Sequence, residues 1–366
     1  PITAGGFYFM DSPGNDLESI AGQVASGCNL ILFITGNGSI TNFPFVPTLK
    51  FVTTTGRFDM LAKEMDVNAG RYNDGVPMDE LGVETFELVR SVASGQRSKG
   101  EAAGHAQVSI WREWQQRDAV QLDRLRAEVR PSGEPLPVVS APPLQLNYDA
   151  FDGAGGRCAD LVGLVMPTSI CSGEIADLVA QDLNARGEQP LGLTRFVALA
   201  HTEGCGAANA DDLYLETLAG HLAHPFTQRA VLLEHGCEKT HNDAVKGWLR
   251  DRGVDVDRFG YASVQLDGGI EKVRERIVSW FEGQLGGRDL ANKTRASAAD
   301  LRIAVLSAGS VDAARAGELG AFCASAVAAG ATVVVPDNDS LLLQPDFVAA
   351  LLVAPAAPTL AYGEAA

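Results

Sequence analysis

The sequence predicts an α/β protein built on open, mainly parallel, Rossmann-like sheets flanked by helices. Across residues 147–366 a short apolar run, a loop of Gly, Ser, Cys or Asp and a helical pattern follow one another repeatedly. Alternation of this kind marks parallel strands joined by helical crossovers. Residues 6–116 show short strand-like runs interleaved with amphipathic stretches. At 366 residues, with 46% hydrophobic and 20% charged side chains, the chain has the make-up of two or three ordinary globular domains.

In the first block, Gly6–Asp11 and Leu30–Thr35 read as short buried strands. Asp16–Ser26 between them reads as a helix opened by Asn15, with Glu18 three residues on in a capping-box pattern. Leu49–Thr53 is a third strand, and helical patterns follow at Arg57–Met65, Met78–Ala93 and Val108–Val129. Residues 130–146 are rich in Pro and predict an extended surface linker. The expected division is therefore 1–129, a linker at 130–146, and a second block at 147–366. Strands of the second block are expected at Leu161–Met166, Arg195–Ala200, Ala230–Glu234, Phe259–Gln265, Arg302–Ser307 and Thr332–Pro336, with residues 286–300 as a loop dividing the sheet.

The formal net charge of −17 excludes a nucleic-acid or anionic-membrane partner as the expectation, because phosphate binding needs a basic face. A small anionic substrate needs only a few local cations. No run of eighteen apolar residues predicts a transmembrane helix, and no signal peptide is visible. The chain opens at Pro1 rather than Met, so a missing natural N-terminus is expected. Six cysteines without framework spacing read as thiols of a cytoplasmic protein.

Ligands of open α/β sheets bind beyond the carboxyl ends of the strands. Three strand ends here carry unusual loops: Pro167–Cys171, His201-Thr202-Glu203-Gly204-Cys205-Gly206, and His235-Gly236-Cys237-Glu238-Lys239. In a parallel sheet these loops share one edge, and Cys171, Cys205 and Cys237 are the candidate metal ligands. Thiolates and imidazoles suit iron or zinc, and three ligands leave a position open; an iron–sulfur cluster is a chemical alternative. Each Cys could instead be a small buried hydrophobe. His201 and His235 are candidate bases, since neutral imidazole accepts a proton near pH 7.

The first block carries Phe9-Met10-Asp11-Ser12-Pro13-Gly14-Asn15-Asp16, Gly22-Gln23-Val24-Ala25-Ser26-Gly27-Cys28-Asn29, Thr35-Gly36-Asn37-Gly38-Ser39, Pro47-Thr48-Leu49-Lys50 and Met65-Asp66-Val67-Asn68-Ala69-Gly70. Over roughly 6–116 these resemble the C-terminal part of altronate and galactarate dehydratases, a family that includes a sulfolactate sulfo-lyase. Members typically have Arg at the position of Asn37. Residues 147–285 resemble, less closely, the start of the family's catalytic part, where a strand-end Cys, a His-x-x-Gly-Cys loop and a Gly-Cys-Glu loop occur in this order. A Thr-Arg-Asn signature is replaced here by Arg157-Cys158-Ala159. The order of the two blocks is the reverse of the family's: the expectation is an upstream copy of the second block, of which this is a second one, with a permuted chain as the alternative.

The resemblance implies removal of water from an aldonic or aldaric acid to give a 2-keto-3-deoxy acid, with a divalent metal, Fe2+ by resemblance, stabilising the charge formed on loss of the α proton. Thr35, Asn37, Ser39, Arg57, Asp66, Asn68 and Arg71 are the candidate substrate-binding residues, and Lys50 joins His201 and His235 as a candidate catalytic residue. Taken singly, Thr35–Ser39 also suits a plain turn, Asp66 and Asn68 suit turn formers, and the arginines and Lys50 suit solvated surface. The expected partners are a small anionic sugar acid and further copies of the chain. A duplicated non-catalytic module that shapes an oligomer is the competing class, and carbon–sulfur lyase chemistry on sulfolactate a third.

Overall fold

In the computed structural model, residues 4–12, 14–110, 134–153, 155–186, 193–204, 212–285, 293–309, 311–336 and 339–353 are described. The chain divides into two compact units. The first comprises Pro1–Glu113, Gly153–Gly155 and Asp160–Leu290, and the second Trp114–Asp152, Gly156–Ala159 and Ala291–Ala366. The 147–366 block of the sequence therefore contributes to both, and most of it joins the first block in one unit.

The first unit opens with α1 (Asp16–Ala25), whose N-cap Asn15 accepts from the backbone N–H groups of Leu17 and Glu18. Strands β1 (Ile31–Thr35) and β2 (Thr48–Val52) pair in parallel, with α2 (Thr55–Met60) and the short β3 (Val67–Asn68) following. α3 (Met78–Ala93) and α4 (Lys99–Ala103) complete this half. The expected strand at Gly6–Asp11 does not form. Phe7 and Phe9 are 87% and 95% exposed and their rings meet edge to face, 5.3 Å apart. An apolar run does not make a strand without a neighbour to complete its hydrogen bonds. The helical pattern at Val108–Val129 is not helical over 108–110, and its remainder lies outside the described residues.

β4 (Asn147–Gly153) and β5 (Gly156–Cys158) belong almost wholly to the second unit and precede the main sheet. That sheet contains β6 (Val162–Pro167), β7 (Arg195–Ala198), β8 (Thr227–Glu234) and β9 (Gly260–Ser263), all parallel, in the order β7-β6-β8-β9. α5 (Ile170–Ala185), α6 (Asp212–Leu222), α7 (Asn242–Asp251) and α8 (Ile270–Leu285) are its crossovers. Both faces are dry, which is why β6 reads as an unbroken apolar run. Val165, Val231 and Leu233 pack against Ile175 and Val179 of α5 and Ile277 and Phe281 of α8. On the other face Leu164, Met166, Ala230 and Leu232 pack against Leu215 and Leu218 of α6 and Val245 and Leu249 of α7.

In the second unit β10 (Thr294–Ser297) pairs antiparallel with β4, and β11 (Arg302–Ala304) pairs in parallel with β12 (Thr332–Val334). The dividing loop expected at 286–300 thus holds a strand at 294–297, while 286–292 lie outside the described residues. α9 (Ala313–Ala328) and α10 (Pro345–Leu351) pack against β11 and β12 through Ala316, Ala324 and Phe347. The Pro-rich stretch is extended over its described part, as its composition dictates, but it is not a detached linker. Val138 bridges Leu352, the Leu144 N–H donates to the Ser325 carbonyl, and Val138, Val139 and Ala141 lie on this core. Mixed α/β architecture with parallel sheets flanked by helices is the observed fold class. Among the described residues no helix is long and apolar enough to cross a membrane.

Candidate functional site

Strand order places the site. The first strand of the main sheet, β6, has β7 on one side and β8 on the other, so the crossovers leave in opposite directions between β6 and β8. Such a switch point opens a crevice at the carboxyl ends of the two strands. There the loop after β6 supplies Thr168 and Ser169, and the loop after β8 supplies His235 to Glu238.

Glu238 ties the two loops together. Its Oε1 accepts from the hydroxyls of Thr168 and Ser169, each at 3.0 Å, and from the His235 N–H at 2.8 Å; its Oε2 accepts from the Gly236 N–H at 2.6 Å. Burial works against its charge, but backbone N–H groups and the nearby His235 hold it below the usual carboxylate range. Gly236 turns the loop at φ +120°, where a Cβ would also strike the Gln265 side chain. Tyr214 and Thr240 donate to the Thr168 carbonyl at 2.9 and 3.1 Å, fixing the loop after β6 from below.

His235 is 1% exposed and lies between an exposed thiol and the first half of the unit. Its Nδ1 is 3.2 Å from Cys237 Sγ, and its Nε2 accepts from the Ile40 N–H at 3.4 Å. A neutral ring that accepts at Nε2 carries its proton on Nδ1, facing the sulfur. Burial depresses its basicity, opposed by Glu238 and Asp16, so the neutral form is favoured. Asp16, the first residue of α1, accepts from Ser39 Oγ at 3.2 Å through Oδ2. Burial raises its pKa, while Ser39 and His235 pull it down.

The segment Gly38–Asn42 lies along this crevice. Gln265 donates to the Gly38 carbonyl, Arg57 donates to the Gln265 carbonyl at 3.3 Å, and Glu64 accepts from the Ile270 N–H at the start of α8 at 2.9 Å. Behind it sits a second buried polar group. Lys50, on β2, is 1% exposed and makes no ion pair with a carboxylate among the described residues. Burial lowers its pKa against the opposing pull of Asp66 and Glu64. Asn42 donates from Nδ2 to the His105 carbonyl at 3.2 Å, leaving its Oδ1 buried without a partner. His105 Nδ1 is in the same condition. Burial, reinforced by Lys50 and His235, brings the His105 pKa down to about 4.

The expected site residues fare differently. Ser39 and His235 lie at the crevice, and Lys50 is buried on β2. Both ring nitrogens of His201 are occupied: Nδ1 accepts from the Glu203 N–H at 3.2 Å and Nε2 lies 2.9 Å from the Pro167 carbonyl. That ring shapes its own loop and has no lone pair to offer as a base. Cys171 sits in the first turn of α5, in an apolar cluster with Leu17 and Ile170, and is absent from the one group of ligand-type atoms found among the described residues, His235, Cys237 and Glu238, which lie within 4.8 Å of one another. Cys205 lies outside the described residues, so of the three thiols only Cys237 is placed in a ligand-type group among those described.

Most of the substrate-binding candidates of the first block have hydrogen-bond or ion-pair partners within the chain. Thr35 accepts from the Gly38 N–H at 3.1 Å in a turn, and Asn37 is exposed. Asp66 receives the Lys50 and Lys99 N–H groups, both at 2.8 Å. Asn68 bonds Thr55, Arg71 pairs with Glu84, and Arg57 reaches the main sheet. Asp16, Asn42 and His105 were missed as site residues. Asp16 stands inside a family-like motif, and His105 is the one histidine of the first block; nothing in the sequence marks Asn42.

The fold and the crevice define an α/β protein whose polar site is assembled from two sequence blocks. Residues 1–116 match the family described as D-galactarate/Altronate dehydratase, C-terminal. Residues 162–285 match that described as D-galactarate dehydratase/Altronate hydrolase, second domain. The chain belongs to the galactarate/altronate dehydratase family. Among curated relatives, it is 32% identical over 108 residues to altronate dehydratase of Bacillus subtilis (strain 168), covering 29% of this chain and 22% of that one. It is 32% identical over 96 residues to galactarate dehydratase (L-threo-forming) of Escherichia coli (strain K12), covering 26% and 18%. It is 27% identical over 111 residues to (2R)-sulfolactate sulfo-lyase subunit beta of Chromohalobacter salexigens, covering 30% and 28%. The matched stretch spans less than a third of each of these relatives. The segment like the family's C-terminal part comes first here, and the segment like its second domain follows.

Proposed function

We propose that this chain forms part of a sugar-acid dehydratase, a carbon–oxygen lyase that removes water from an aldonic or aldaric acid to give a 2-keto-3-deoxy acid. One observation supports this best. Polar groups from both family-matched blocks converge in one unit, with the Ile40 N–H on His235 and Asp16 beside it. Dehydration needs a group to accept the proton α to the carboxylate. Asp16 is the better acceptor here: Ser39 engages only its Oδ2, and its raised pKa brings it toward the range in which a general base is effective. His235 serves by position, holding its Nδ1 proton toward Cys237.

The family implies a divalent ion such as Fe2+, and the trio His235, Cys237 and Glu238 has the donor types for one. Its hydrogen bonds do not fit. A metal on Nδ1 requires a proton on Nε2 and an acceptor beyond it, whereas Nε2 here meets the Ile40 N–H, another donor. Glu238 already receives four donors. No step is therefore assigned to a metal on these three residues.

The full-length protein, prepared anaerobically with Fe2+, should convert D-altronate or galactarate to a 2-keto-3-deoxy acid, read by semicarbazone absorbance. Asp16→Asn should abolish turnover while leaving bound iron unchanged. Release of sulfite together with pyruvate from sulfolactate, with no turnover of either sugar acid, would place the protein with the carbon–sulfur lyases. No turnover of any substrate, with a correctly folded protein, would favour a non-catalytic module.

A further inference from the structure

The three-stranded sheet of the first unit ends on one side at β1, which pairs with β2 alone. The Ile31 N–H donates inward to the Pro47 carbonyl at 3.0 Å, so the alternation of the strand turns the N–H and C=O groups of Leu32 and Ile34 outward. Among the described residues nothing pairs with that outer edge. The side chains of the same two residues stand in solvent, Leu32 53% and Ile34 71% exposed, while Ile31 and Phe33 pack toward Ile20 and Ala21 of α1. Natural edge strands are blunted by a charge, a proline, a bulge or a covering element. β1 reads Ile-Leu-Phe-Ile-Thr, with neither charge nor proline, and its register against β2 runs without a shift.

The charge pattern selects the occupant. With 46 acidic and 29 basic residues the chain carries a net charge of −17, so two copies repel over most of their surfaces. Yet between Glu18 and Lys50 there is no charged residue at all, in a chain of which charged residues make up 20%. That stretch covers most of α1, all of β1 and the exposed Phe45. A second acidic copy can approach it without like-charge repulsion, whereas a basic partner finds no carboxylate within it to pair with. The strand is also complementary to itself. A two-fold axis at Phe33 sets Leu32 of one copy opposite Ile34 of the other, and these are the residues whose backbone groups face outward. Each such pair exchanges two backbone hydrogen bonds and sets one apolar side chain beside another on the open face.

We propose that β1 is a dimerisation edge, at which two copies of this chain pair their β1 strands antiparallel about Phe33 and join their three-stranded sheets into one continuous sheet. The two-fold uses the β1 edge of both copies, so the pairing closes on itself and leaves no edge there for a third. Association is read without turnover and stands apart from the dehydratase reading.

The test is sedimentation equilibrium of the full-length protein over a range of concentrations, with two double variants at the exposed β1 positions. The wild type should self-associate. Leu32→Lys with Ile34→Lys sets lysine opposite lysine across the strand pair and should weaken association at least about a hundredfold. Leu32→Lys with Ile34→Glu sets lysine opposite glutamate and should bring association back to within about tenfold of the wild type. Both side chains face solvent, so both variants should keep the fold, which circular dichroism and the urea midpoint check. A wild type that stays monomeric at every concentration, or association that survives lysine at both positions, would overturn the proposal. Equal loss in the two variants would overturn it as well, because an apolar contact without antiparallel strand pairing does not distinguish which charges stand opposite.

Discussion

Removing the Glu238 side chain should loosen the crevice more than any other single truncation there. In Glu238→Ala two backbone N–H groups, of His235 and Gly236, and two hydroxyls, of Thr168 and Ser169, lose their common acceptor. Hydrogen bonds to a charged acceptor are worth about 1.5–3 kcal/mol each, but four that share one carboxylate are not additive. Deleting the carboxylate also lifts its own desolvation cost, so the net loss should be about 3–5 kcal/mol. Glu238→Gln keeps a carbonyl for three donors and sets its amide against the Gly236 N–H, costing about 1–3 kcal/mol. The sign with pH follows from the depressed carboxyl pKa. The stabilisation is present above the ordinary value of 4.5 and is lost as pH falls through the lower folded-state pKa, so the acid limb should flatten in Glu238→Gln. Urea unfolding followed by the fluorescence of Trp248 and Trp280 measures both quantities. A loss below about 1 kcal/mol in Glu238→Ala would show that the two loops hold their places without the carboxylate.

His105 gives the opposite kind of pH test. Its folded-state pKa of about 4 lies below the ordinary 6.5, so the unfolded chain takes up the proton first and stability should fall as pH drops from 6.5 toward 4. The full difference is worth about 3 kcal/mol, and His105→Gln should remove that slope in urea titrations across the window. Glu64→Ala should cost about 1–2 kcal/mol by uncapping α8, with faster hydrogen exchange confined to the amides at its first turn; unchanged exchange at Ile270 would refute the cap.

The strands of the main sheet were legible because both faces are dry. Val162–Pro167 is buried at every position, and no surface helix has that composition. Phe7–Met10 has the same look and lies in solvent, because apolarity reports a preference for burial and not the presence of a neighbour to provide it. The crevice itself was legible from the rule that loops at the carboxyl ends of parallel strands carry function, which pointed to His235 and Cys237. The roles inside it were not. Whether a histidine is a base, a ligand or a brace depends on what its two nitrogens face, and for His235 one of these is the Ile40 N–H, nearly two hundred residues earlier in the chain. Cys171 shares a strand-end position with Cys237, but the first turn of α5 directs it into an apolar cluster. Lys50, Asn42 and His105 come from a strand, a loop and a turn, and only tertiary packing makes them neighbours.

Within this chain the block like the family's C-terminal part precedes the block like its second domain, and the joint between them does not depend on that order. The contacts across the seam, Gly38 with Gln265, Ile40 with His235 and Glu64 with Ile270, are made between surfaces and owe nothing to which block the ribosome releases first. A genetic exchange that changes their order leaves the same residues to make these contacts. Selection on such a family can then act on the mating surfaces while the reading frame that connects them drifts.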